Sequence, residues 1–337
     1  MLPRSTQFFG LTIMATIIRF HQAGGPDVLT LETAEVGAPG PGQARVRHAA
    51  IGVNYIDTYQ RSGLYPLSLP SGLGSEAAGV VEAVGEGVDF VQPGDRVAYA
   101  GGPLGAYASE RVMPADKLIK LPDTIDFKTG ASMMLQGLTA EYLLRRTYPV
   151  QAGDAILVHA AAGGVGQILV QWAKSLGAFV VATAGGPEKV ALARSLGADA
   201  VIDYRVDDFV AGVRAATHGR GVKVVYDGVG KDTFMGSLDC LAPRGYMVTY
   251  GNASGPVPAI EPLLLSQKGS LFLTRPTLAS YVATRAELVE AATALFDVVL
   301  SGKVKVGASH EYALADAAQA HIDLQARKTT GSIVLIP

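Results

Sequence analysis

The chain has 337 residues, 49% of them apolar and 17% charged, with a formal net charge of −2. That length suits one large or two ordinary domains around a sizeable buried core. The near-neutral balance, with no block of like charge, argues against a nucleic-acid or membrane-surface protein, since both need a concentrated basic face.

In chain order, "MLPRSTQFFGLTIMA" opens with one arginine and a short apolar patch, a weak signal-peptide pattern. Met14 begins "MATIIRFHQAGGPDVLTLE", a self-contained strand–turn–strand opening, so residues 1–13 are expected to be an upstream extension. From Met14 to about Gln136 short alternating segments such as "QARVRHAAIGV", "AAGVVEAVG" and "GDRVAYA" are separated by Gly/Pro clusters, which predicts a β-rich unit. Within it "GLGSEAAG" has the glycines of a phosphate loop. A strand-like run rather than a helix follows, so it lacks the helix N-terminus that an anion needs.

After Gly137 a helical stretch, "LTAEYLLRRTY", leads into strands predicted to begin near Ala155, Phe179, Ala200, Val222, Gly245 and Ser270. Helical patterns fill the gaps between the first five, which predicts a parallel, doubly wound sheet. The tail from Leu278 reads as the helix "TRAELVEAATALFDVVLSG", a second helix in "LADAAQAHIDLQAR" and a final strand "GSIVLIP". The expected organisation is α/β: a discontinuous β-rich domain of residues 14–137 and 278–337, and a dinucleotide-binding domain of residues 138–277.

The first of those strands, "DAILVHA", runs directly into "AAGGVG" and a helix. With Ala161 in the first glycine position, Gly163 and Gly166 complete a G-x-G-x-x-G-like pattern. Gly163 lets backbone approach a pyrophosphate and Gly166 lets helix pack on strand, so Ala162, Gly163, Gly164, Val165 and Gly166 form the expected phosphate-facing loop. An NAD site usually ends its second strand in an acid. Here "VVATAGGPEK" holds none before Glu188, while Lys189, Tyr204 and Arg205 lie where a 2′-phosphate would sit; the expected cofactor is NADPH.

Several chemistries are missing. Cys240 is the only cysteine, which excludes an intramolecular disulfide or a multi-cysteine metal centre and suits a reducing cytoplasm. The histidines are isolated, with His159 expected to be a satisfied core residue. There is no G-x-S-x-G, and no tyrosine is followed by a lysine four residues on. No apolar run reaches membrane-spanning length.

The segments "GGPDVL", "AIGVNYIDTYQRSGLYP", "LPSGLGSEAAGVVEAVGEGV", "GDRVAY", "LQGLTAEYLL", "VHAAAGGVGQILVQWAKSLGA" and "GNASG" resemble the medium-chain dehydrogenase/reductase superfamily. The resemblance is to its zinc-free, ζ-crystallin-like quinone oxidoreductases, and it runs from Met14 to Pro337. It implies a GroES-like catalytic domain beside a Rossmann domain. Zinc-dependent members carry metal ligands where this chain has Asn54, Ser75 and Gln136. Glu76 alone cannot assemble a tetrahedral N/S site, so no metal is expected. Without a Lewis acid the acceptor must delocalise incoming charge itself, as a quinone or an enone does.

The resemblance further implies that Asn54, Asp57, Tyr59 and Tyr65 line the substrate site. Asp57 and Tyr59 could equally organise a turn or the domain interface. It implies that Asn252 lies by the nicotinamide ribose, that Arg327 reaches the 2′-phosphate, and that two copies pair through the edge strand "SLFLTRP". The expected activity is NADPH-dependent quinone reduction, with no dedicated general acid assigned. Reduction of an enal or enone double bond, and a non-enzymatic nucleotide-bound RNA-binding or structural role, are the alternatives.

Overall fold

The structure is a computed structural model that describes residues 13–337, so the expected extension lies, apart from Ile13, outside the described residues. Strand Ile13–Phe20 pairs antiparallel with Thr30–Val36, from Ile13↔Val36 to Arg19↔Thr30. Ile13, one residue before Met14, is already part of the strand.

The main β-rich sheet has seven strands. Its path runs Ala308–Ala313, Ser332–Ile336, Gln43–Val53, Glu76–Val84, Arg96–Ala100 and Ile119–Lys120, with Glu110–Pro114 also paired to Gln43–Val53. Alternate residues of Gln43–Val53, Ala44, Val46 and His48, point into a core with Phe20, Leu73, Tyr99 and Tyr107, as period-two strands require. The tail returns here: Ser332–Ile336 pairs antiparallel with Gln43–Val53, at Ile333↔Val53 and Leu335↔Ile51.

Two helices interrupt the expected β-rich stretch. Tyr55–Ser62 is only two turns long, and Gly63 ends it at φ +82°. Phe127–Tyr142 starts where Asp126 accepts from the Thr129 N–H at 2.9 Å. This second helix is buried on nearly every face, so its sequence lacks the polar stripe that marks a surface helix.

Six parallel strands form the other sheet, in the order Ala200–Asp203, Phe179–Ala184, Ala155–Val158, Val222–Asp227, Leu241–Thr249, Phe272–Thr274. Four of the six starts fall on the predicted residues. The fifth strand begins at Leu241 rather than Gly245 because an irregular register between Val222 and Val224 brings Leu241 into the ladder early. The sixth begins two residues late, at Phe272. Strand order reverses between Ala155–Val158 and Val222–Asp227, and in open α/β sheets ligands bind in the crevice beyond the carboxyl ends at that point.

Candidate active site

A cavity of about 780 Å³ opens over that crevice and extends to the helix Tyr55–Ser62. At its floor Ala155–Val158 ends and Ala160 turns left-handed, at φ +51°. The turn closes with the Gly163 N–H on the Ala160 carbonyl at 2.9 Å, and the helix Gly164–Ser175 begins with Gly163 as its N-cap. The left-handed residue is thus Ala160, one before the alanine matched to the first glycine; Ala161 instead donates to the Thr183 carbonyl at 3.0 Å. A Cβ on Gly166 would stand 2.3 Å from the Ala160 carbonyl oxygen, so only glycine lets the helix seat on the turn. Ala162, Gly163, Gly164, Val165 and Gly166 all line the cavity. The tail caps this loop, the Gly331 N–H donating to the Ala162 carbonyl at 3.0 Å.

Lys189, Tyr204 and Arg327 line the same cavity. Burial pushes the Lys189 ammonium down, and its charged neighbours Arg205 and Arg327 push it further the same way. Arg205 is not on the cavity wall; it lies beside Gly186, which precedes the Lys189 helix. The acid ending the third strand is diverted: Asp203 Oδ1 accepts from the Gly186 and Arg205 N–H groups, both at 3.0 Å, and these bonds hold its carboxyl below the usual range. This end of the pocket therefore has two cations on its wall, Lys189 and Arg327, with Arg205 close behind and the local carboxylate held by backbone.

At the opposite end Asn54, Tyr59 and Tyr65 line the cavity, with the two tyrosine rings 5.3 Å apart. Tyr59 Oη accepts from the Asn252 N–H at 2.8 Å, and Tyr65 Oη accepts from Arg275 at 3.1 Å. Asn252 itself stands behind these rings rather than on the wall. Its amide is satisfied with nitrogen toward the Gly251 carbonyl and oxygen toward Arg275. Arg275 lines the cavity and was missed. Its signal was position, since "TRP" ends the last parallel strand on the crevice side.

Asp57 corrects the expected substrate set. It does not line the cavity but is wholly buried, accepting from the Asn54 N–H at 2.8 Å and from Tyr107 Oη at 2.9 Å. Behind it the Arg61 guanidinium donates to His321 Nδ1 at 3.1 Å, which leaves Nε2–H to donate to Tyr107 Oη at 3.0 Å. Asp57 ends this directed chain, and burial pushes its carboxyl up to about 7. It organises the turn into the helix, because a carboxylate three residues in can satisfy a free N–H there.

Between the two ends lies a second buried network. Asn54 Nδ2 donates to Glu76 Oε2 at 2.6 Å, Gln136 Nε2 to Asn54 Oδ1 at 3.3 Å, and Ser332 Oγ to Gln136 Oε1 at 2.7 Å. The Leu135 N–H donates to Glu76 Oε1 at 2.8 Å. Glu76 is fully buried, and burial pushes its carboxyl up to about 8. Asn54 and Gln136 thus bond to each other, and Ser75, buried, precedes Glu76 in the chain. One carboxyl with neutral amides and a hydroxyl is a poor donor set for a tetrahedral N/S metal. Among the described residues no group of three or more His, Cys, Asp and Glu side chains comes together for a metal. His159 also reaches the cavity, but both ring nitrogens are satisfied, by Thr183 at 2.8 Å and Ser237 at 2.9 Å.

Two family models match the chain: the alcohol dehydrogenase GroES-like domain over residues 40–123 and the zinc-binding dehydrogenase over residues 164–297. The chain is 53% identical over 325 residues to a quinone oxidoreductase of Pseudomonas aeruginosa, covering 96% of this chain and 100% of the relative. A 2-haloacrylate reductase of a Burkholderia species is 48% identical over 334 residues, covering 96% and 99%. The crystal structure of Escherichia coli quinone oxidoreductase complexed with NADPH matches with a TM-score of 0.94 at 50% identity, covering 96% of this chain and 100% of that one. With relatives this similar over their whole length, and with the glycine loop, the two large sheets and the tail that closes on them, the chain belongs to the quinone oxidoreductase family of the medium-chain dehydrogenase/reductases.

Proposed function

We propose that this protein is an NADPH-dependent quinone oxidoreductase. The observation that carries the reading is the continuity of one cavity, from the two cations Lys189 and Arg327, past a helix N-terminus, to two tyrosine hydroxyls. The N–H groups of the first helical turn have no partners within the helix and favour an anion, which suits a pyrophosphate. Lys189, Arg205, Arg327 and Tyr204 suit a 2′-phosphate, and the local carboxylate, Asp203, is held by two backbone N–H groups and faced by Arg205. Asn252, behind Tyr59, would act through that tyrosine rather than touch a ribose.

When bound, the reduced nicotinamide supplies the hydride. The protein's residues orient and stabilise the acceptor. Tyr59 Oη accepts from the Asn252 N–H, so its O–H hydrogen remains to donate to an acceptor oxygen, while Tyr65 Oη accepts from Arg275 and lies 3.3 Å from the Asn252 amide. Burial pushes the Tyr59 phenol up strongly, so it stays a neutral donor throughout the working range. Donors aimed at a developing oxyanion in a water-poor site stabilise the transition state. A quinone spreads the added charge over its ring and needs no stronger electrophile.

Initial rates with 1,4-benzoquinone, using NADPH and NADH in turn, test the reading. Turnover with clear preference for NADPH is expected; tight NADPH binding without turnover of any conjugated acceptor would overturn it. Reduction of an activated carbon–carbon double bond is the second reading, favoured by the relative named for a haloacrylate. A 2-alkenal in the same assay separates the two. We also infer a homodimer through the edge strand Phe272–Thr274 and a cytoplasmic setting, the latter from cysteine usage; no described helix is long and apolar enough to cross a membrane.

A further inference from the structure

Glu76 opens the strand Glu76–Val84 with none of its surface exposed, yet no cation is among the groups that act on it. A buried carboxyl without a cation is costly, and one bonded to a residue of the site wall, as Glu76 is to Asn54, is a functional candidate. The groups facing it are the Leu135 and Met134 N–H groups of the helix Phe127–Tyr142, the Asn54 amide, and the titratable Asp57, Tyr99 and Tyr107. We propose that Glu76 is a positioning residue for hydride transfer, setting which end of the Asn54 amide, donor or acceptor, is offered to the substrate oxygen. This rests on the quinone reading given above.

The argument is one of hydrogen-bond polarity. An asparagine amide has two donors and two acceptor lone pairs. Glu76 and Gln136 take one of each, so one N–H and one lone pair of Asn54 remain for a ligand in the cavity it lines. An ionised Glu76 only accepts, which holds Asn54 Nδ2 on its own side, Asn54 Oδ1 on the Gln136 side, and Gln136 Oε1 toward Ser332. A proton on Glu76 Oε2 would set two donors against each other, because Oε1 is already taken by the Leu135 N–H. Asn54 must then turn over, and its Nδ2 would meet Gln136 Nε2, so Gln136 turns as well. Ser332 Oγ can accept from it and donate to the Ser132 carbonyl, 3.1 Å away.

The chain from Glu76 to Ser332 therefore has two self-consistent directions. Reversal moves the spare donor of Asn54 from the Glu76 side of the cavity to the Gln136 side. The observed direction is favoured from its far end too: Gln136 Oε1 lies against Gly164, the first residue of the loop helix, where an oxygen complements the positive helix end. Burial places the Glu76 titration at about 8, so a change of direction falls within an ordinary assay range.

Glu76→Gln tests this, because its amide keeps an acceptor for the Leu135 N–H and presents Nε2 to Asn54, locking the reversed direction without changing shape. The expected result, measured at a pH above the Glu76 titration, is a tenfold or greater fall in kcat/KM for 1,4-benzoquinone with the NADPH Kd, read by fluorescence titration, unchanged within twofold. The wild-type rise of kcat/KM with pH through the Glu76 titration should disappear. Glu76→Asp, which keeps an acceptor-only group, should recover part of the activity and of the pH-dependent rise. The double variant Asn54→Ala/Glu76→Gln should match Asn54→Ala alone. Wild-type kcat/KM and pH profile in Glu76→Gln, equal losses of NADPH binding and turnover, or additive effects in the double variant would each overturn the proposal. Absence of quinone turnover in the wild type instead overturns the quinone reading and this inference with it.

Discussion

Lys189 Nζ donates to the backbone carbonyl of Arg327 at 2.8 Å, so a helix of the parallel sheet grips the loop that follows the tail helix Ala317–Gln325. Arg327 takes a left-handed backbone there, φ +58°, a conformation costly for any residue with a side chain. The grip repays that cost by bringing a second cation to the phosphate end from 138 residues away. A charge-assisted hydrogen bond contributes about 1.5–3 kcal/mol. Arg327→Ala and Lys189→Ala are therefore each expected to lower kcat/KM for NADPH by roughly ten- to a hundredfold while leaving that for NADH nearly unchanged. Equal losses with both cofactors would show that the pair only braces the tail.

Among the described residues the edge strand Phe272–Thr274 bonds on one side only, to Leu241–Thr249, and leaves Phe272 and Leu273 exposed, with Met235 and Leu263 exposed as well. Exposed apolar edges invite pairing with a second copy. Sedimentation velocity at micromolar concentration is expected to give a dimer, and Leu273→Lys a monomer with the same far-UV circular dichroism. A wild-type monomer would rule the edge out as an interface.

Asp57 makes a prediction opposite to that for a substrate ligand. Its removal strands the Asn54 N–H and Tyr107 Oη, both buried, and an unsatisfied buried polar group costs about 1–3 kcal/mol. Asp57→Ala should lower the unfolding free energy by that much, read as a lower urea midpoint at unchanged slope. KM for the quinone should change less than threefold, since the carboxyl is walled off from the cavity. A selective rise in KM without loss of stability would return Asp57 to the substrate site.

The parallel sheet was legible because each strand and helix carries its own period, and four strand starts, from Ala155 to Val222, could be read directly. The glycine loop was legible for the same reason, since its helix shows a buried stripe. What escaped was set by partners distant in sequence. Whether Asp57 faces the cavity depends on Tyr107 and His321, up to 264 residues from it in the chain and invisible to local pattern. Arg275 carries no motif; only the strand order puts it at the crevice. Glu76 could be singled out as a lone acid in a glycine-rich loop, but its tie to Asn54 requires strand and helix to meet.

The same buried groups set how stability changes with pH. Burial raises Asp57 from 3.8 to about 7 and Glu76 from 4.5 to about 8, so between these limits the native chain holds protons the unfolded chain has released. Their contribution is complete below the unfolded values and is lost as pH rises through 7 and 8. Burial has the reverse consequence for His48, lowered from 6.5 to about 4, and for His321, lowered to about 3. Unfolding lets them take up protons, so stability is lost as pH falls below 6.5. The two pairs oppose each other between about 4.5 and 6.5, and above 6.5 only the acids still titrate. Urea midpoints should therefore change little from pH 5 to 6.5 and fall from 6.5 to 8.5. Glu76→Gln cannot titrate, so its midpoint should fall less steeply over that upper range, leaving only the part due to Asp57. A parallel decline in wild type and variant would mean that Glu76 is already ionised at neutral pH.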